Sequence, residues 1–229
     1  MNRKELIDMV EDGTSVVRTF IIEGDSSSSI KSSFEDWNDN DVVGHVVGWM
    51  NYSIDKLSCI KLGKKQSDEY ANVTSLNEIN TILYNKMKGK SREEIESYYI
   101  NSIGDYIKVI SLFSNNDINL DTFETGFKME LWRYMLLDSV IHPIQHILYQ
   151  YLKKNEYKKI AAIVSGTKDT FEQYSEEKKG YKLQEFEIER SEYQNKLNEL
   201  QRKYSNDKEV KQFIQINRKA QTDPVKYFV

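Results

Sequence analysis

Apolar residues recur at helical spacing over long stretches of the chain, and few segments show the strict alternation of a half-buried strand. Leu6, Met9, Val10, Val16, Val17, Phe20 and Ile21 define a first amphipathic helix that ends near Gly24. Asp25 to Ser33, with four consecutive serines, reads as a polar loop. A second helix is expected to start at Asn38, where Asp41 three positions on makes a capping-box pair, and to run past Trp49 to about Cys59. Gly44 and Gly48 stand one turn apart in it, a costly choice unless something packs closely on that face. Lys61 to Val73 reads as loop. Ser75 with Glu78 and Ser91 with Glu94 are further capping boxes, predicting helices from Leu76 and Arg92. The latter carries the stripe Ile95, Tyr99, Ile103, Tyr106, Ile107 and Ile110. Another helix, capped at Asp121 or Thr122, is expected to continue through Phe127, Leu131, Tyr134, Met135, Ile141, Leu148 and Leu152. Pro143 lies in its path and must kink or break it, because an interior proline costs about 3 kcal/mol.

After Asn155 the pattern changes. Lys, Glu and Gln dominate, and Phe186, Tyr193, Leu197, Leu200 and Tyr204 follow a coiled-coil-like spacing with Arg190 as its polar member. Helices near Asp169 to Lys179 and Lys182 to Tyr204, parted by Gly180, would form a helical hairpin, and Val210, Phe213, Ile214 and Ile216 suggest one more short helix. The expected architecture is all-α: a four-helix bundle near residues 3–21, 38–60, 91–114 and 122–153, forming a domain over 1–154. Residues 155–229 form a helical extension that packs on the bundle or on a second copy, as in a homodimer.

Composition narrows the function. The 229 residues include 2 prolines and 10 glycines, too few turn formers for a many-stranded protein. With 32 Lys and Arg against 36 Asp and Glu, the formal charge is -4, which argues against a nucleic-acid partner. No run approaches the ~18 apolar residues of a membrane span, and no secretory leader is visible, so no membrane partner and a cytoplasmic location are expected. Cys59 is the single cysteine, which excludes an internal disulfide and a cysteine-rich metal site. Gly-rich phosphate loops and serine nucleophile elbows are absent from the sequence.

The 3 histidines carry the chemical signal. His45 lies in Asp41-Val-Val-Gly-His45-Val-Val-Gly-Trp49, and His142 and His146 are one helical turn apart in His142-Pro143-Ile144-Gln145-His146. Spacing i, i+4 puts two imidazoles on one face, where they can chelate one cation. If His45 joins them, three neutral nitrogens would bind a divalent metal, zinc or nickel before others, and leave positions open for water or a small-molecule substrate. Against this stands the plain alternative of hydrogen-bonded core histidines. Asp138, one turn before His142, is the candidate catalytic carboxylate, placed to orient an imidazole; the alternative is a solvated or Arg133-paired side chain. Trp49 and Tyr149 are candidate pocket walls, although aromatics at such spacing are more often ordinary core.

The helix with Val-Val-Gly-His-Val-Val-Gly-Trp, followed by two helices and then one bearing His-x-x-x-His, resembles the DinB/YfiT-like four-helix-bundle superfamily of metal-dependent enzymes. The resemblance covers roughly Asn2 to Lys154 and maps the family's metal triad onto His45, His142 and His146. The surroundings of Trp49 and the His-Pro pair also resemble the ClbS/DfsB branch. Where many relatives follow the last histidine with Arg-Gly-Gln, this chain has Ile147-Leu148-Tyr149. The resemblance implies thiol transfer or hydrolysis on a small molecule at a metal, or, on the ClbS/DfsB likeness, metal-free binding and detoxification. A third reading makes the C-terminal helices a non-enzymatic interaction arm.

Overall fold

The computed structural model describes residues 1–24, 37–63, 65–67, 69–70, 73, 76–122, 129–175 and 202. The protein is all-α; among the described residues the only strand pairing is two residues long on each side. Helix α1 (Arg3–Glu23) opens on a capping box: the Asn2 side chain accepts the Glu5 N–H and the Glu5 carboxylate accepts the Asn2 N–H, both at 2.9 Å. The same device starts α2 (Asp39–Leu62) at Asn38 and α4 (Arg92–Ser111) at Ser91, the starts read from sequence. Between them, α3 spans Leu76–Met87. Helix α2 ends where Gly63 takes a left-handed conformation (φ 62°) and returns its N–H to the Cys59 carbonyl. A short α5 (Asn115–Ile118) follows α4.

Packing follows the apolar stripes. Helix α2 lies against α3 and α4, and α1 against α2 and α4. Leu6, Val10, Val17 and Phe20 of α1, Val42, Val43, Val46, Val47 and Met50 of α2, and Ile95, Tyr99, Tyr106 and Ile110 of α4 are buried between them. Each such side chain contributes about 1.5–3 kcal/mol by leaving water. Gly48 has the close neighbour its cost demanded: a β-carbon there would lie 3.0 Å from Leu83 Cβ of α3.

The last long helix departs from expectation at its start. Asp121–Thr122 form strand β1 and pair antiparallel with β2 (Met129–Glu130), Asp121 opposite Glu130. The Leu131 N–H donates to the Leu120 carbonyl at 3.1 Å, and only then does α6 (Leu131–Leu136) begin. A cap at Asp121 or Thr122 would satisfy one or two backbone donors, whereas this ladder satisfies both sides of the connection. A π-helical segment, Leu137–Ile141, joins α6 to α7 (His142–Lys153). Pro143 explains the join. It brings no N–H and its ring crowds the preceding turn, and that turn widens, with the His142 N–H reaching back to Leu137. The helical backbone thus continues through the proline by way of a wide turn rather than breaking there.

Spatial contacts divide the chain into two compact units, Met1–Ile147 and Leu148–Val229, the division falling within α7. In the second, Asn155 adopts φ 60° and ends α7, and α8 runs Tyr157–Ser175, starting well before the Asp169 start expected. Ile160, at 0% exposure, anchors it in a stretch whose charge-rich composition masks the helical spacing. The Asp25–Ser33 loop, the expected hairpin from residue 176 on, the stripe Phe186, Tyr193, Leu197, Leu200 and Tyr204, and the 210–216 helix lie outside the described residues. Among the described residues no helix is long and apolar enough to cross a membrane.

Candidate metal centre

The first unit brings the three histidines together. His45 comes from the second turn of α2, His142 from the first residue of α7 and His146 one turn later. The Nε2 atoms of His45 and His142 are 3.2 Å apart, and those of His142 and His146 are 2.7 Å apart. The rings meet edge to face, His45 with His142 at 70° and His142 with His146 at 76°. One nitrogen from each lies within 4.8 Å of the others. Nitrogens at about 2.0–2.1 Å on one tetrahedral zinc are ~3.3–3.4 Å from each other, so on binding the 2.7 Å pair opens by ~0.6 Å and the widest pair closes by up to ~1.5 Å.

Protonation states suit the same purpose. Burial pushes His142 down to about 4. His146 is held well below the ordinary histidine value by burial, with the neighbouring imidazoles His142 and His45 adding to it. His45 is lowered in the same way, by burial first and His142 second. Near neutral pH all three rings are neutral, which is the state a metal requires. At 2.7 Å two N–H groups would collide, so the contact holds at most one proton between His142 and His146.

Two tryptophans flank the cluster. Trp49 stands edge-on to His45 and His142, with centroids 6.3 and 6.0 Å away, and its indole N–H donates to Asn80 Oδ1 at 2.9 Å. It is also part of a buried cluster with Tyr52, Tyr70, Ile79 and Leu83. Trp37 lies 4.7 Å from His45 and 5.9 Å from His146. Tyr149, the other wall proposed from sequence, belongs to the second unit.

Asp138 is buried, 6% exposed, and its carboxylate accepts a short hydrogen bond from the Ser53 hydroxyl of α2 rather than bonding an imidazole. Ser53 Oγ is 3.0 Å from the Tyr134 hydroxyl, and Tyr106 donates to the Met135 carbonyl at 2.9 Å close by. Burial raises the Asp138 carboxyl to about 6, opposed by the hydroxyls of Ser53 and Tyr134 and the charge of Lys56. Neither sequence alternative holds, since the side chain is not solvated and Arg133 pairs with Glu130 at 2.9 Å. The wide π-turn is the reason Asp138 is aimed at α2. It rotates Asp138 relative to His142, so residues four apart no longer align as on an α-helix.

Trp37, Ser53, Tyr134 and Asn80 were not legible as site residues. Ser53 and Tyr134 carry a weak signal, as hydroxyls on otherwise apolar helix faces; Trp37, just before an N-cap, carries none that separates it from an ordinary staple. No family model, curated protein or solved structure matches the chain.

Proposed function

We propose that this is a DinB-like metal-binding protein that acts on a small molecule, by thiol transfer or hydrolysis, at a divalent ion held by His45, His142 and His146. The observation that carries the reading is the convergence of three neutral, buried imidazoles on one point. The two close contacts, 3.2 and 2.7 Å, both converge on His142 Nε2, where a cation would take the place of the N–H···N bonds that neutral rings can make. Imidazole as the sole donor favours zinc or nickel over magnesium or calcium.

Bound there, a divalent ion polarises an oxygen or lowers the pKa of a water, which supplies the chemistry. The chain does the rest. His142 and His146 are held by the apolar burial of α7's first turns, and His45 by α2, so the donor set is rigid on two sides. Trp49 and the cluster beneath it exclude water from the inner side. Asp138 acts at one remove, through its bond to Ser53: it ties the π-turn to α2 and so sets where His142 stands relative to His45. It is a positioning residue.

The test is metal content together with thermal unfolding. Protein purified without chelator should hold about one equivalent of metal, and the apo form should be stabilised by zinc or nickel. At free metal 100-fold above the dissociation constant the gain is about 2.7 kcal/mol, which at this chain length is about 5–10 °C in melting temperature. His146→Ala should abolish the shift. No shift with zinc, nickel, cobalt or manganese would leave the 2.7 Å contact as an N–H···N hydrogen bond inside a metal-free protein.

A further inference from the structure

The two indoles beside the histidines differ in access. Trp49 is 9% exposed, anchored by Asn80, and packed on the inner cluster. Trp37 is half-buried, and so is His45, whereas His142 and His146 are 8% and 2% exposed. The more exposed side of the cluster is thus the side where Trp37 and His45 meet. There the Trp37 ring tilts at 51° to His45 and 36° to His146, lying against both.

We propose that Trp37 is the specificity-determining wall of this site, and that the substrate class is a small planar or aromatic compound carrying an oxygen or nitrogen donor. The proposal rests on the metal reading of the histidines. Three imidazoles leave coordination positions open, and a molecule that reaches them from outside passes the indole. An indole offers a flat, polarisable, apolar surface that a planar body covers well and a thin aliphatic one covers poorly. The position also suits selection rather than folding. Trp37 precedes the N-cap of α2, outside the helix, and the apolar core of the first unit is made by other residues.

The experiment uses full-length protein loaded with cobalt(II), whose absorption reports ligands at the ion. It is titrated with benzohydroxamate and acetohydroxamate, which share a donor group and differ in the body attached to it. Wild type should prefer the aromatic compound by about fivefold or more, the size of one aromatic contact. Trp37→Ala should collapse that preference, Trp37→Phe should keep most of it, and cobalt stoichiometry, read separately against a competing chelator, should not change. Should Trp37→Ala fail to fold, Trp37→Leu makes the same comparison, because it keeps apolar bulk without a flat face. An unchanged ratio in these variants, or no preference in wild type despite bound cobalt, overturns the role of Trp37 and leaves the metal site standing. Wild-type protein that takes up no cobalt overturns both.

Discussion

His142 stays neutral in the fold down to about pH 4, whereas an unfolded chain protonates it near 6.5. Between those values the unfolded state binds more protons, so stability rises with pH through this window and is lost as pH falls toward 4, by about 1.4 kcal/mol per pH unit for a full proton. His45 and His146, lowered in the same direction, add to the loss. Asp138 has the opposite sign. Its carboxyl is raised from 3.8 to about 6, so the fold binds more protons there, and its contribution, complete below 3.8, is lost as pH rises through about 6. The cost at neutral pH reaches ~3 kcal/mol on the same conversion. Asp138→Asn retains an acceptor for Ser53 and removes that cost. The metal-free variant should therefore melt higher than wild type at pH 7.5, match it near pH 4, and show the steeper acid limb. Thermal melts from pH 4 to 8 check this; parallel profiles would mean that Asp138 does not titrate in this way. At this scale the candidate ligands were legible because histidine is used so sparingly. The partner of Asp138 was not, because helical spacing places a side chain on a face only while the turn keeps its width.

Among the elements, α1 and the π-segment approach each other closely at Gly13. A β-carbon on Gly13 would meet Val140 of the π-segment, 2.6 Å from Cγ2 and closer to Cγ1. Alanine for glycine ordinarily gains about 1 kcal/mol inside a helix, but this overlap costs more, typically 1–3 kcal/mol. Gly13→Ala should thus lower stability in urea unfolding. It should also weaken metal affinity, because the displaced Val140 sits two residues before His142. Adding Val140→Ala should recover part of both losses; a neutral Gly13→Ala would show that the approach is slack. Capping boxes announced α2 and α4 because a cap is a local device of four residues, while α1 was legible from its apolar spacing. The start of α6 was missed because it is decided by a pairing between residues eight or so apart, which no local signal encodes. The π-turn is intermediate: Pro143 announced a disturbance, while its form depended on what the widened turn packs against.

At the scale of the whole molecule, the sequence alone leads one to expect that Phe186, Tyr193, Leu197 and Leu200 are covered by the rest of the chain or by a second copy. A chain ended after Ser175 keeps α1 to α8 whole. By light scattering it should show either a changed mass or a loss of solubility relative to the full chain. Behaviour identical to the full chain would make the segment a solvated tail. By itself the sequence determined the helical class, most helix starts, the poverty of breakers and a three-histidine set with two members at a chelating interval. These are properties of composition and of spacing within a few turns, and they survive without knowledge of any neighbour. The tertiary structure alone decided that His45 stands 3.2 Å from His142, that Trp37 lies against His45 and His146 and that Asp138 turns to Ser53. Those contacts join residues separated by up to about a hundred positions, and their distances follow from how α2 and the α6–α7 helix pack, which depends on every side chain between them.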